Sequence, residues 1–122
     1  MRILWLTEDF QGIKNFFDGK VNYDQGMPAQ YNPLVYIANK GHKIDIVYPG
    51  KKDTLEKDIW KNITSSSFKK PKHNSIFNFG IRDFRLCFII NIFKSFFLAL
   101  KLVKKYKYDL IYCHWEFQSV VG

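Results

Sequence analysis

The order in which strand-like and helix-like segments follow one another most constrains the fold of this chain. Residues 3–7 are a short apolar run typical of a buried strand, and residues 43–48 predict a second strand. A helical pattern at residues 28–40 separates them, and a longer one at residues 82–106 precedes a third strand at residues 108–113. The alternation predicts one α/β domain, a Rossmann-like three-layer sandwich with a mainly parallel sheet.

Two long connections separate these elements. Residues 8–27 carry three glycines among charged and amide residues, which predicts a long loop at the same sheet edge as the end of the last strand. Residues 51–80 are rich in lysine and serine, and they predict an irregular connection with a short helix and a short strand near residues 75–79.

The first predicted helix contains a proline, and the second has a broad apolar face. Pro33 either kinks a helix that begins at Pro28 or is the first residue of a helix capped by Asn32. The long helix has a broad apolar face and a narrow polar stripe, and we expect the apolar face to pack on the sheet. The apolar set is Leu86, Ile89, Ile90, Phe93, Phe97, Leu100 and Val103, and the polar set is Asn91, Lys94, Ser95, Lys101 and Lys105.

The chain is strongly basic, with a formal net charge of +8. Its lysines concentrate in residues 51–72 and 101–107, which favours anionic partners such as a phosphorylated substrate or an acidic membrane surface. Solubility alone is the alternative explanation. No recognition-helix, zinc-finger or RNA-binding pattern accompanies the lysines, so we expect no nucleic-acid partner.

The sequence predicts a cytoplasmic location. Cys87 and Cys113 lack metal-ligand spacing and lie among bulky apolar residues, as reduced core cysteines do. The apolar start of the chain is too short for a signal peptide. The apolar stretch at residues 86–103 contains Lys94 and Lys101, each of which would cost about 3 kcal/mol near a bilayer centre, so a packed helix is favoured over a membrane span.

The strand predicted at residues 108–113 is expected to be buried, and it is followed directly by His114, Trp115 and Glu116. Ligands of open α/β sheets bind outside the carboxyl ends of the strands, so this polar segment is a candidate site rim. The alternative is that these are ordinary solvated loop residues.

Two common chemistries of this fold are disfavoured. A dinucleotide-binding domain would carry G-x-G-x-x-G after the first strand, whereas Thr7 is followed here by Glu8 and Asp9. A receiver domain would use such carboxylates for magnesium, but it has no long loop at residues 8–27, and its phospho-acceptor aspartate is missing after Tyr48.

Three segments together resemble the N-terminal half of a retaining glycosyltransferase of group 4, whose GT-B architecture has two facing Rossmann-like domains. Residues 1–7 (MRILWLT) resemble the opening strand of that family, which begins M-[KR]-I-L. Gly26, with residues 38–47 (ANKGHKIDIV), is similar to its G-G … L-A-x-x-G-H-x-V-x-V pattern. Residues 108–115 (YDLIYCHW) are similar to its x-D-[VI]-[VI]-H-x-H-x pattern.

The resemblance implies a function and a set of site residues. His114 would be the catalytic-site histidine that hydrogen-bonds a sugar, Trp115 and Glu116 would line the acceptor side, and Gly26 would lie near the donor diphosphate. The sequence departs from the family pattern at Gln25, where a second glycine is usual, and at Tyr112, where the first histidine is usual.

The same resemblance implies that residues 1–122 are an incomplete N-terminal Rossmann-like domain. The C-terminal nucleotide-sugar domain would be absent from this chain, and the chain alone would be inactive. The complete enzyme would transfer a hexosyl group with retention to a glycan or lipid-linked acceptor in polysaccharide biosynthesis, with no metal or other cofactor. The alternative is a non-catalytic membrane-surface or interaction domain, and the basic charge favours a peripheral contact with the inner face of an anionic membrane in either case.

Overall fold

The computed structural model describes residues 1–7, 10–20, 28–70 and 82–113, with side chains described for all of these except residues 28–30 and 82–88. The protein is an α/β structure built on a five-stranded, mostly parallel sheet. Its elements, in chain order, are β1 (Arg2–Leu6), α1 (Gln11–Phe17), α2 (Pro28–Asn39), β2 (Lys43–Gly50), β3 (Thr54–Trp60), β4 (Ile63–Lys69), α3 (Arg82–Lys105) and β5 (Leu110–Cys113).

The strands lie in the order β3-β4-β2-β1-β5. Strands β4, β2, β1 and β5 are mutually parallel neighbours, and β3 is antiparallel to β4 at the edge. The chain thus builds outward from β1 through β2 to β4 and then returns through α3 to place β5 on the other side of β1. This reversal is consistent with a Rossmann-like α/β fold.

Successive side chains of each strand point to opposite faces of the sheet, so apolar side chains stand on both faces. Helices cover both of these faces. On one face, Trp5, Ile44 and Ile46 form a core with residues of α1 and α2, among them Ile13 and Leu34. On the other face, a second core unites three strand residues with two of α3: Leu4, Val47, Phe68, Ala99 and Leu102. The predicted central strand at the start of the chain is confirmed, since Ile3, Leu4 and Trp5 are buried.

The prediction of an irregular connection over residues 51–80 is wrong for residues 54–69, which form the β3–β4 hairpin. Strand β4 was missed because Ser65, Ser66 and Ser67 replace the usual apolar run, yet all three are buried. Their hydroxyls are satisfied by backbone partners: that of Ser67 donates to the Lys52 carbonyl at 2.8 Å, and that of Ser66 accepts from a backbone N–H. The predicted strand at residues 75–79 lies outside the described residues.

The long loop predicted at residues 8–27 contains the helix α1. Ile13 is fully buried and anchors that helix, while Phe10 and Phe17 pack beside it at helical spacing. The glycines in this segment led to its interpretation as a loop and hid the helical spacing of the apolar residues. Gly19, at φ 71°, lies just beyond the helix, where a glycine suits helix termination.

Helix α2 runs without interruption from Pro28 to Asn39, so the alternative start at Asn32 is wrong. Pro33 lacks the backbone donor that a helix interior uses. Burial of Tyr31, Leu34 and Ala38 holds the segment helical despite that loss.

The bounds predicted for the long helix are confirmed to within one residue, but its predicted orientation is wrong. Asn91 and Ser95, assigned to the polar stripe, are buried against the sheet, whereas Phe93 and Phe97 are 58% and 64% exposed. Small side chains at the buried positions let a helix approach a sheet closely, which an inward row of phenylalanines would prevent. The cost is that Asn91 Oδ1 and Ser95 Oγ lack a hydrogen-bond partner among the described residues.

The predicted last strand is present as β5, but the expectation that it is buried is wrong. Leu110, Ile111 and Tyr112 are each 39% exposed or more, because β5 lies at the edge of the described sheet with β1 as its neighbour.

Candidate functional site at the carboxyl edge of the sheet

The reversal of strand order puts a topological switch point between β1 and β5. Leu6 pairs with Cys113 at the carboxyl ends of these two parallel strands. Crevices at such switch points are where open α/β sheets bind ligands. The position that the sequence marks as a site rim, directly after β5, therefore follows a strand that ends beside the end of β1.

The described residues around the switch point are held firmly. Thr7 is buried, and its backbone N–H donates to the Val47 carbonyl at 3.0 Å. The rings of Trp5 and Tyr112 lie 4.1 Å apart between centroids and tie β5 to β1. Burial raises the pKa of the Cys113 thiol, which disfavours the thiolate and a nucleophilic role.

Gly26, His114, Trp115 and Glu116, the four site residues predicted from the sequence, lie outside the described residues. The structure does not bring them together or separate them, and their roles stay predictions. Their described neighbours are Cys113, at the carboxyl end of β5, and Pro28, at the start of α2.

Sequence reasoning missed a cavity of about 590 Å³ at the same edge of the sheet. It opens where β4 and β2 end, and β2 is the direct neighbour of β1. Its walls come from α1, the end of β2, the β2–β3 turn, β3 and the end of β4, and its lining residues are Phe10, Gln11, Lys14, Tyr48, Pro49, Gly50, Lys51, Lys52, Thr54, Lys57, Ser67 and Lys70. Lysines directly after the two strand ends were the available signal, but the missed β4 left them without a common location.

The opposite, amino edge of the sheet holds a buried ionic cluster centred on Asp45, which is 4% exposed. Arg2 Nε and the Tyr108 hydroxyl each donate to its Oδ2 at 2.7 Å, and the Thr64 hydroxyl donates to its Oδ1. The Arg2 guanidinium also lies 3.4 Å from the centre of the Tyr106 ring.

The protonation states in this cluster follow from those contacts. Burial alone would raise the pKa of Asp45, but the hydrogen bonds from Arg2, Thr64 and Tyr108 outweigh it and lower that pKa. Burial and the hydrogen bond to Asp45 raise the pKa of Tyr108. All of the carboxylate's contacts are internal, and the strands begin at this edge, so we assign the cluster a structural role.

The described residues offer neither a metal-binding cluster nor a membrane-spanning helix. Within residues 1–7, 10–20, 28–70 and 82–113, no three or more histidine, cysteine, aspartate or glutamate side chains are grouped so that they could hold a metal ion. None of the described helices combines the length and apolar character that a membrane crossing requires.

Comparisons with protein-family models, curated protein sequences and solved structures found no match.

Proposed function

We propose that residues 1–122 form the acceptor-side domain of a two-domain, retaining glycosyltransferase of the GT-B kind. The complete enzyme would move a sugar from a nucleotide-sugar donor to a glycan or lipid-linked acceptor. One observation carries the proposal: the three segments that resemble group 4 enzymes contain β2, β1 and β5, which are adjacent in the sheet in that order. Segments far apart in the sequence thus meet around one switch point.

The proposed roles follow from side-chain chemistry at that edge. A neutral imidazole at His114 can donate or accept a hydrogen bond at a sugar hydroxyl, and the Glu116 carboxylate can orient further hydroxyls. The Trp115 indole offers an apolar face to a sugar ring, and the Gly26 backbone would face the donor diphosphate. The electrostatic clamp on the donor would come from a second domain, so residues 1–122 alone would not turn over substrate.

The test is transfer activity of the longest natural polypeptide that contains residues 1–122, compared with residues 1–122 alone. We expect the longer protein to release nucleoside diphosphate from a panel of nucleotide-sugars in the presence of a glycan or lipid-linked acceptor. We expect no turnover by residues 1–122 with the same substrates. Turnover by the shorter chain would contradict the two-domain proposal.

A second candidate function is a non-catalytic, membrane-surface role, and the outer face of α3 favours it. Phe93, Phe96 and Phe97 are more than half exposed there, and Lys94 and Lys101 are exposed beside them. An apolar helix face flanked by lysines matches an anionic bilayer surface, into which the rings insert while the ammonium groups contact headgroups.

Replacing both Phe93 and Phe97 by serine is expected to weaken binding to vesicles rich in phosphatidylglycerol by at least about 10-fold, because two phenylalanine rings leave the bilayer. Co-sedimentation at low and high salt measures the effect, and high salt should weaken the wild type as well. Tyr36→Ser is the matched control, since Tyr36 is 66% exposed on α2. Equal binding by the double variant and the wild type would exclude α3 as the contact.

A further inference from the structure

The cavity between α1 and the ends of β2 and β4 is strongly cationic. Lys14 comes from α1, Lys51 and Lys52 from the β2–β3 turn, Lys57 from β3, and Lys70 from the residue after β4. Among the described residues that line the cavity, none carries a carboxylate. In the described part of the chain, Lys14 has an ion-pair partner, Asp18 at 3.3 Å, and no such pair involves the other four. Positive charge from four separate parts of the chain therefore converges on one space.

The backbone that carries these lysines is fixed. The Lys70 N–H donates to the Gly50 carbonyl at 2.9 Å, and the Ser67 hydroxyl donates to the Lys52 carbonyl at 2.8 Å. The β2 end also packs tightly on β4, because a Cβ at Gly50 would lie 2.9 Å from the Ser67 Cβ. Such preorganisation lowers the cost of gathering like charges around a ligand.

An aromatic pair completes the cavity wall. The rings of Phe10 and Tyr48 stack with their centroids 3.8 Å apart and their planes 18° from parallel. The cavity volume lies within the range of small-molecule sites, which typically combine apolar and aromatic walls with a few placed polar groups. It can therefore hold an organic ligand that bears an anionic group.

We propose that this cavity binds the phosphate or diphosphate group of a ligand whose organic part packs against Phe10 and Tyr48. Lysine ammonium groups bind phosphate as point charges, and several of them around one group match its multiple negative charges. A ligand whose only anionic group is a carboxylate would leave most of these ammonium groups without a partner. The inference depends on the cavity and its charges and not on sugar transfer. If the transferase proposal holds as well, the ligand is a phosphorylated acceptor.

The probe for this site is inorganic pyrophosphate, titrated at constant ionic strength into the ¹⁵N-labelled protein. We expect saturable amide shifts at Gly50, Lys51, Lys52 and Lys70, the residues at the ends of β2 and β4. The double variant Lys51→Gln/Lys57→Gln should raise the Kd at least about 10-fold, since two charges leave the site. The matched control, Lys101→Gln/Lys104→Gln, removes the same charge from α3 on the other face of the sheet and should change the Kd less than 2-fold.

Vesicles that contain phosphatidic acid separate the two sources of such a phosphate. Vesicle binding that pyrophosphate displaces, and that the Lys51→Gln/Lys57→Gln variant loses, assigns the site to a lipid phosphate. Pyrophosphate binding without vesicle binding assigns it to a soluble ligand. Either result supports the cavity, whereas equal weakening of pyrophosphate binding by the two double variants, or shifts spread over all exposed lysines, would overturn it. If the longest natural polypeptide shows no nucleotide-sugar turnover while residues 1–122 show this binding pattern, the transferase proposal is contradicted and the cavity proposal stays intact.

Discussion

Asp45→Ala is expected to lower the free energy of unfolding by about 2 kcal/mol. The substitution leaves the Arg2 guanidinium and the Tyr108 hydroxyl without the buried carboxylate that both contact at 2.7 Å. The cost arises because the donors lose a charged acceptor, while the Arg2 side chain, which is 23% exposed, recovers part of its hydration. Chemical denaturation followed by circular dichroism measures the change.

Asp58→Ala is the control for that experiment, because Asp58 lies exposed on the antiparallel strand β3. A change within about 0.5 kcal/mol is expected there, as for most surface substitutions. A loss below 1 kcal/mol for Asp45→Ala would show that the cluster is not the stabilising feature of the amino edge.

The same cluster predicts an acid dependence of stability. Because the folded protein lowers the pKa of Asp45, the carboxylate contributes its full stabilisation above the pKa of the unfolded chain. That contribution is lost as the pH falls through the lower, folded pKa. Asp45→Asn should remove this part of the acid dependence, which denaturation midpoints from pH 7 down to pH 2 would reveal as a flatter profile than that of the wild type.

His114→Ala, placed in the longest natural polypeptide, is expected to reduce kcat/KM for sugar transfer by on the order of 100-fold. That is the scale of losing one positioned hydrogen-bond donor at a reacting centre. The resemblance to group 4 transferases gives His114 this role, and the residue follows β5, which ends beside β1 at the switch point. A fall in kcat with little change in KM would indicate that the imidazole acts chiefly in the transition state.

Several elements could be predicted because their sequences carry a regular apolar pattern. Strand β1 is an apolar run of strand length, β2 begins with alternating polar and apolar residues, and the length of α3 follows from its long helical periodicity. Their order was enough to predict a mostly parallel sheet, which the structure confirms. Local pattern sufficed because burial in a parallel sheet demands apolar residues on both faces.

Other features depend on tertiary contacts that a local pattern does not contain. Three consecutive buried serines lie between the buried Ile63 and Phe68 of β4 and are accommodated by hydrogen bonds, and serine is not among the residues enriched in strands. The inward face of α3 combines the apolar residues Ala99 and Leu102 with the small polar residues Asn91 and Ser95, and hydrophobicity alone does not predict the latter pair.

The candidate site also combines a feature that a local sequence pattern predicts with one that depends on tertiary contacts. The end of β5 beside the end of β1 could be predicted from the sequence, whereas the rim residues that follow it lie outside the described part of the chain. The lysine cavity could not be predicted, since Lys14 and Lys70 come from distant parts of the chain and meet through the pairing of β2 with β4.

A paired kinetic comparison of two histidines tests the central claim most directly, namely that the carboxyl edge beside β1 and β5 is one wall of a transferase site. His42 precedes β2 at the opposite, amino edge, where its Nδ1 lies 3.3 Å from the terminal amine of Met1. The account predicts that, in the longest natural polypeptide, His114→Ala loses transfer from a nucleotide-sugar on the order of 100-fold, while His42→Ala retains it within about 2-fold. Equal activity of the two variants would contradict it.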